Sequence, residues 1–318
     1  MNDGSSANAL DAIASGLLRF DTGYIRDQHT ACYIVEDRGC AAIIDTGVGA
    51  SVPALLARLD ELGLTRENVE WVIPTHVHLD HAGGAGALMQ ALPNARLGIH
   101  PSGAEHMIDP GRLEAGVRAL YGDAFFEREY APLIPVSADR IEILEDEAEV
   151  RVGTRLLDVL HTPGHAWHHL SLLDTASNIF LAGDAFGASY PPYVTDAYAF
   201  AVPVVPPPQF KPQAYHDTLK RIVDLQPTAV APAHFPLIRD VPDMAERLAV
   251  MLDAGVACAA QADSVEDLER QLQDSWAQWL PAGCSQEAFI EDFGMDIWLT
   301  AEGMWLWREK QEKKKAAQ

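Results

Sequence analysis

The sequence predicts an α/β protein with a helical C-terminal region. Short apolar runs of strand-like composition alternate with amphipathic stretches through the first hundred residues. Beyond Asp240 the apolar residues recur at helical spacing, as in Val265, Leu268 and Leu272. These patterns predict a domain that contains the sheets over residues 1–240 and a helical extension over residues 241–318.

The first part of the domain is predicted to alternate strands with two helices. Strands are expected at Leu17–Phe20, Cys32–Glu36, Ala41–Asp45, Glu70–Pro74 and Arg96–His100. Ser51 is expected to cap an amphipathic helix that buries Leu55 and Leu59, and Gly84–Leu92 is expected to be helical. The irregular stretch over residues 105–139 is expected to be a helical insertion.

A second sheet is predicted from short, evenly spaced strands. They are Ile141–Leu144, Glu149–Val152, Thr154–Leu160, Leu170–Leu173 and Ile179–Ala182. The Pro- and aromatic-rich stretch Tyr190–Pro212 is expected to be a loop, followed by a helix over Pro212–Gln226 and a strand over Thr228–Ala231. Tyr190 and Tyr193 are expected to pack in this loop, with contact to substrate as the alternative.

The charge balance excludes several classes of partner. A formal net charge of −23 repels polyanions, so neither nucleic acid nor an anionic membrane is expected to bind. Because no signal-peptide pattern, spanning apolar run or CxxC pair is seen, we expect a cytoplasmic protein with reduced thiols. Five of the seven tryptophans lie beyond residue 240, which predicts their burial on the domain or in a homodimer interface. The stretch Lys310–Gln318 is expected to be a frayed end.

Histidine and aspartate are concentrated directly after the strand predicted at Glu70–Pro74. The segment THVHLDHAGG contains His76, His78, Asp80 and His81. Alternate residues of an extended segment point to the same side, so His76 and His78 can bind one ion, and Asp80 and His81 can face a second ion after the turn. Four ligands do not fill two metal shells, so the hypothesis requires further ligands downstream.

Three further candidate ligands lie at the ends of predicted strands. His165 closes the segment HTPGH, Asp184 lies in LAGDAF, and His234 closes APAH. Histidine, carboxylate and water ligands suit Zn²⁺, with Fe and Mn as alternatives. The sequence therefore predicts a site for two divalent metal ions.

These motifs, from Asp45 to His234, resemble those of the metallo-β-lactamase superfamily. The resemblance implies a four-layer αβ/βα sandwich with a helical C-terminal extension and a dinuclear site at one edge of the sheets. It implies one metal on His76, His78 and His165, a second on Asp80, His81 and His234, and Asp184 as the bridge. Asp45, in the segment IIDTG, is expected to support the metal loop without binding metal.

The implied reaction is hydrolysis by a hydroxide that two ions roughly 3.5–4 Å apart share. His78 stands where redox diiron relatives carry Glu, and TPGHAWHHLSLLD is similar to the branch with glyoxalase II, lactonases and their uncharacterised cytosolic relatives. A small thioester, ester or lactone is the expected substrate. The expected catalytic residues are Asp80, Asp184, Asp45 and His168. A phosphodiesterase of the same fold and a non-catalytic metal-containing sensor are the alternatives.

Overall fold

The computed structural model describes residues 8–195 and 198–316, which divide into two compact units. The first unit comprises residues 8–161 and 170–183. The second unit comprises residues 162–169, 184–195 and 198–316. The predicted domain boundary at residue 240 stays a prediction.

Seven strands form one mixed sheet of the first unit and neighbour one another in chain order. They are β1 (Leu10–Ala14), β2 (Leu17–Asp21), β3 (Ala31–Asp37), β4 (Cys40–Ile44), β5 (Val69–Ile73), β6 (Arg96–Ile99) and β7 (Ile141–Ile143). The pairs from β1 to β4 are antiparallel, and those from β4 to β7 are parallel. Strand β4 is a continuous apolar run with its last four residues fully buried, as expected for a strand covered on both faces.

The sequence analysis missed one strand and assigned another to the wrong sheet. Strand β1 was not predicted; its residues are exposed or only partly buried, and it ends the sheet. The strand that starts at Ile141 was assigned to the second sheet, but β7 pairs in parallel with β6 through Leu97 and Ile141. Regular spacing along the chain predicts that a strand exists and does not identify its partner.

The second sheet of the first unit is built from antiparallel neighbours. It contains β8 (Glu149–Val152), β9 (Arg155–His161), β10 (Leu170–Asp174) and β11 (Ile179–Gly183). Strand β8 contacts β3 and β4 of the first sheet. Arg155 ties the two sheets together, because its guanidinium donates to Asp174 on β10 (2.7 Å) and to the Ser15 carbonyl before β2 (2.7 Å).

Six α-helices of the described residues 8–161 accompany these sheets. They are α1 (Val52–Glu61), α2 (Leu79–Ala82), α3 (Ala85–Ala91), α4 (Ala104–Ile108), α5 (Gly111–Tyr121) and α6 (Asp123–Glu129), the last three within the predicted insertion. Leu55, Leu59 and Leu88 from α1 and α3 are fully buried in the core beside the first sheet. Ser51 is the N-cap residue of α1, as predicted, but its side chain makes no capping hydrogen bond, because its hydroxyl donates to the Thr22 carbonyl (3.2 Å) instead.

The second unit is mainly helical. It contains β12 (Val194–Thr195), β13 (Tyr198–Ala199), α7 (Pro212–Asp224), β14 (Ala229–Pro232), α8 (Val241–Gln261), α9 (Val265–Ala277) and α10 (Gln286–Ala316). The helical extension is therefore confirmed. The expected frayed end was wrong within the described residues, since α10 continues to Ala316.

Burial of the C-terminal tryptophans is uneven. Trp276 is fully buried and donates its indole N–H to the Met251 carbonyl (3.1 Å), whereas Trp305 and Trp307 are only partly buried. The homodimer interface stays a prediction. None of the helices described over residues 8–195 and 198–316 is long and apolar enough to cross a membrane.

Candidate metal centre

The histidine-rich segment of the first unit lies between β5 and α3 and is largely buried. The Nε2 atom of His76 lies 2.8 Å from the Nδ1 atom of His78, so two imidazole nitrogens share one small volume. The Nε2 atom of His81 lies 3.4 Å from an Asp80 carboxylate oxygen. The segment therefore presents two pairs of potential metal donors, one before and one within the turn of α2.

The segment Asp45–Thr46 holds this loop from the end of β4. One oxygen of the buried Asp45 carboxylate accepts hydrogen bonds from the Thr75 backbone N–H (2.7 Å) and hydroxyl (2.9 Å), and the other lies 3.0 Å from His81 Nδ1. Thr46 donates its hydroxyl to the His81 carbonyl (2.8 Å) and accepts from the Gly84 N–H (3.1 Å). Both ends of the loop are thus fixed to β4.

The contact with Asp45 also selects the tautomer of His81. A carboxylate beside Nδ1 keeps the proton on that nitrogen, which leaves the Nε2 lone pair for a ligand. The positive φ of Asp45 (58°) puts its backbone in the left-handed region, which Asp and Asn tolerate better than other non-glycine residues. The position therefore suits the aspartate found there.

Asp184 is the centre of the candidate donors in the second unit. One of its carboxylate oxygens lies 3.3 Å from His165 Nε2, and the other lies 3.5 Å from His234 Nε2. His165 donates through Nδ1 to the Val204 carbonyl (2.8 Å), so its Nε2 also keeps a lone pair for a ligand. The three side chains are buried.

His169 is a supporting residue that the sequence analysis missed. Its Nε2 accepts the backbone N–H of Asp184 (3.1 Å), and its Nδ1 contacts the Thr162 hydroxyl (2.8 Å). These contacts connect the loop before His165 with the start of the loop that holds Asp184. The only signal in the sequence was the doublet His168-His169. His168 is buried, and its predicted catalytic role stays a prediction.

A glycine is required in the loop that presents His165. Gly164 has a φ of 142°, and a Cβ atom there would lie 2.6 Å from the Cα of Tyr215 on α7. The Thr218 hydroxyl on the same helix donates to the Pro163 carbonyl (2.7 Å). Helix α7 therefore presses directly against this loop and fixes its path.

Tyr190 and Tyr193 are positioned as packing residues. Both rings are buried and contact Phe293, and their hydroxyls donate to Asp296 (3.0 Å) and Asp292 (2.9 Å) on α10. These contacts favour the packing interpretation over contact with substrate.

A tyrosine pair flanks the histidine-rich loop of the first unit. The hydroxyls of Tyr24 and Tyr130 are 2.5 Å apart, and both rings belong to an apolar cluster with Leu79 and Phe126. Burial, and then the negative charge of Asp80, raise the pKa of Tyr24. Both hydroxyls therefore stay protonated at neutral pH, beside the carboxylate of a candidate ligand.

Comparison with known families agrees with the fold. Residues 25–234 match the family described as the metallo-beta-lactamase superfamily, and the chain belongs to that superfamily. Members of the superfamily are mostly metal-dependent hydrolases. The fold class predicted from the sequence is confirmed.

Three relatives give context. The metallo-beta-lactamase fold-containing protein ST1585 of Sulfurisphaera tokodaii is 27% identical over 65% of this chain and 72% of its own. The solved structure of ST1585, from Sulfolobus tokodaii, matches with a TM-score of 0.66 at 22% identity over 91% of this chain and 98% of that one. An N-acyl homoserine lactonase of Bacillus cereus is 26% identical, over 50% of the length of this chain and 63% of the length of the lactonase. The acyl-coenzyme A thioesterase MBLAC2 of Bos taurus is 28% identical over 45% and 53%.

Proposed function

We propose that this protein is a dinuclear metal-dependent hydrolase of small thioesters, esters or lactones. The main support is the position of Asp184, whose two oxygens face two different imidazoles at 3.3 Å and 3.5 Å. A buried carboxylate is costly unless it is paired or binds metal. A carboxylate that bridges two metal ions needs one oxygen on the side of each ion, and the two Asp184 oxygens face different histidines in this way.

The proposed ligands are those that the sequence motifs predict. His76, His78 and His165 would hold one ion, Asp80, His81 and His234 a second, and Asp184 would contact both. The donor chemistry fits, because His81 and His165 each have Nδ1 held by an oxygen acceptor and Nε2 left as the ligand atom. Imidazole and carboxylate donors without thiolate favour Zn²⁺, with Fe and Mn as alternatives.

The chain's own residues hold the donors in place for this chemistry. When bound, such ions lower the pKa of water and polarise a carbonyl group. Asp45 orients His81, and His169 holds the backbone of Asp184. These hydrogen bonds limit how far the two donors can move.

Two features support the substrate class. The net charge of −23 disfavours polyanionic polymers such as RNA. Two relatives are named as a lactonase and a thioesterase, and both names describe cleavage at an acyl carbonyl. The predicted cytoplasmic location would place the protein among such small acyl compounds.

A substrate panel with a matched pair of variants tests the proposal. Metal-loaded protein is assayed on thioesters, lactones, a phosphodiester and RNA. Asp184→Asn should lower metal content and reduce hydrolysis by orders of magnitude. Asp292→Asn makes the same change at a carboxylate of the second unit that contacts Tyr193, and it should keep both properties. Efficient cleavage of RNA or the phosphodiester, with no ester or thioester hydrolysis, would refute the proposal.

A further inference from the structure

One segment of the second unit connects the candidate ligand His165 with helix α10. The carbonyl of Val204 accepts the hydrogen bond from His165 Nδ1 (2.8 Å). The next residue, Val205, donates its N–H to the Thr300 hydroxyl (3.3 Å). A Cβ atom at Gly303 would lie 1.8 Å from the Val205 carbonyl oxygen, so the segment is pressed onto the helix backbone.

The same segment continues along α10 towards its C-terminal end. The ring of Phe210 lies 5.8 Å from the ring of Trp307 in an edge-on arrangement. Lys310 donates its ammonium group to the Pro208 carbonyl (2.8 Å). The segment and the helix therefore run side by side from Thr300 to Lys310.

The segment then returns to the loop that presents His165. The ammonium group of Lys211 lies 3.8 Å from the centre of the Trp167 ring. The backbone N–H of Trp167 donates to the side-chain oxygen of Gln209 (2.8 Å). Trp167 is 47% exposed, although it is only two residues from His165. An exposed aromatic face beside a cation is therefore held close to a candidate metal ligand.

The C-terminal end of α10 is basic, whereas the whole chain is acidic. Residues 308–315 include five basic and two acidic residues, in a chain of net charge −23. Lys310 and Lys314 are exposed, and their spacing of three and seven residues from Trp307 places them on the same side of α10. The name α10 strip is used below for three residues of α10 and three residues of the neighbouring segments. They are Trp307, Lys310 and Lys314 on the helix, and Trp167, Phe210 and Lys211 beside it.

We propose that the α10 strip binds the phosphate-bearing nucleotide leaving group of an acyl thioester, as in acyl-coenzyme A. The inference rests on the proposed hydrolase function and specifies its substrate. Exposed lysines complement phosphate groups, and the exposed part of the Trp167 ring can stack on a planar base. From Trp307 to Lys314 the helix rises about 10 Å, and the strip continues through Lys211 to Trp167, so it suits an extended leaving group. A lactone or a short thioester has no group that would use it.

Binding of coenzyme A itself tests the strip without any reaction. Calorimetry on the full chain should detect binding that weakens as salt rises. Lys310→Gln with Lys314→Gln should raise the Kd about fivefold, and Trp167→Ala should raise it about tenfold. Lys220→Gln is the matched control, because Lys220 is an exposed lysine of α7 that pairs with Asp224 (2.5 Å). It should leave the Kd unchanged.

Kinetics on two substrates separates this inference from the proposed function. One acyl group is presented as its coenzyme A thioester and as its N-acetylcysteamine thioester. The kcat/KM for the coenzyme A thioester should exceed the kcat/KM for the N-acetylcysteamine thioester. The ratio of the first value to the second should fall in the strip variants. Hydrolysis of the short thioester without coenzyme A binding, or strip variants that bind as the wild type does, would overturn the inference and leave the proposed function standing. Absence of hydrolysis of every ester and thioester would instead refute the proposed function.

Discussion

Replacing Asp45 with alanine is expected to destabilise the metal-free protein and weaken metal binding. The change removes the acceptor of the Thr75 N–H and of His81 Nδ1 in a buried environment. Each buried donor without a partner costs about 1–3 kcal/mol. Alanine at a φ of 58° adds about 1 kcal/mol of backbone strain. We therefore expect the free energy of unfolding to fall by about 3–7 kcal/mol.

Asp45→Asn separates the stability effect from the effect on metal. Asparagine tolerates the positive φ and keeps an oxygen for Thr75, so the loss of stability should be about 1–2 kcal/mol. Its amide group would place a donor against His81 Nδ1 and favour the tautomer with a proton on Nε2. Metal affinity should therefore fall about 10–100-fold in both variants.

Two measurements check this pair. Guanidinium unfolding of metal-free protein gives the change in stability, and competition with a chromogenic chelator gives the metal affinity. Asp292→Asn serves again as the control for a carboxylate remote from the ligands in sequence. If Asp45→Ala keeps wild-type metal affinity, or if Asp45→Asn is the less stable of the two, the assigned role of Asp45 is wrong.

Three further predictions concern stability. Burial, and then the charge of His161, lower the pKa of His100 to about 4. Between about pH 6.5 and pH 4 the unfolded chain therefore binds a proton at His100 that the folded chain does not bind. Above this window the group contributes up to about 3 kcal/mol to the free energy of unfolding, and this contribution is lost as the pH falls. His100→Gln should flatten this acid dependence in urea titrations, and an unchanged slope would contradict it. Arg155→Met leaves the buried Asp174 unpaired and should cost about 3–5 kcal/mol in chemical denaturation, so a loss below about 1 kcal/mol would argue against that ion pair. A chain that ends at Asp240 lacks the helix that covers the aromatic rings of the second unit, and it should be insoluble or much less stable on expression, whereas a soluble, fully active product would show the region to be dispensable.

The strands and helices that the sequence predicted share a strong local pattern. Strand β4 is a run of apolar residues, and α9 repeats buried residues at Leu268, Leu272 and Trp276. Local patterns of this kind depend on neighbours within one turn or one strand. The candidate ligands could be predicted from the sequence for a similar reason, because each lies in a short motif directly after a strand.

The features that the sequence analysis missed depend on residues far apart in the chain. Tyr24 and Tyr130 are separated by 106 positions, and nothing in either local sequence indicates that their hydroxyls meet. The pairing of β7 with β6 and the support of Asp184 by His169 are also set by tertiary contacts. Ser51 matched the composition of a helix cap, but the preceding 3₁₀ turn directs its hydroxyl to Thr22.

The most direct test of the proposed dinuclear centre is a zinc titration of hydrolysis. Protein stripped with a chelator is titrated with Zn²⁺, and thioester and lactone hydrolysis is measured at each ratio of metal to chain. The seven proposed donors predict no activity without metal and saturation at about two ions per chain. Saturation at one ion, or activity that persists in excess chelator, would contradict the account.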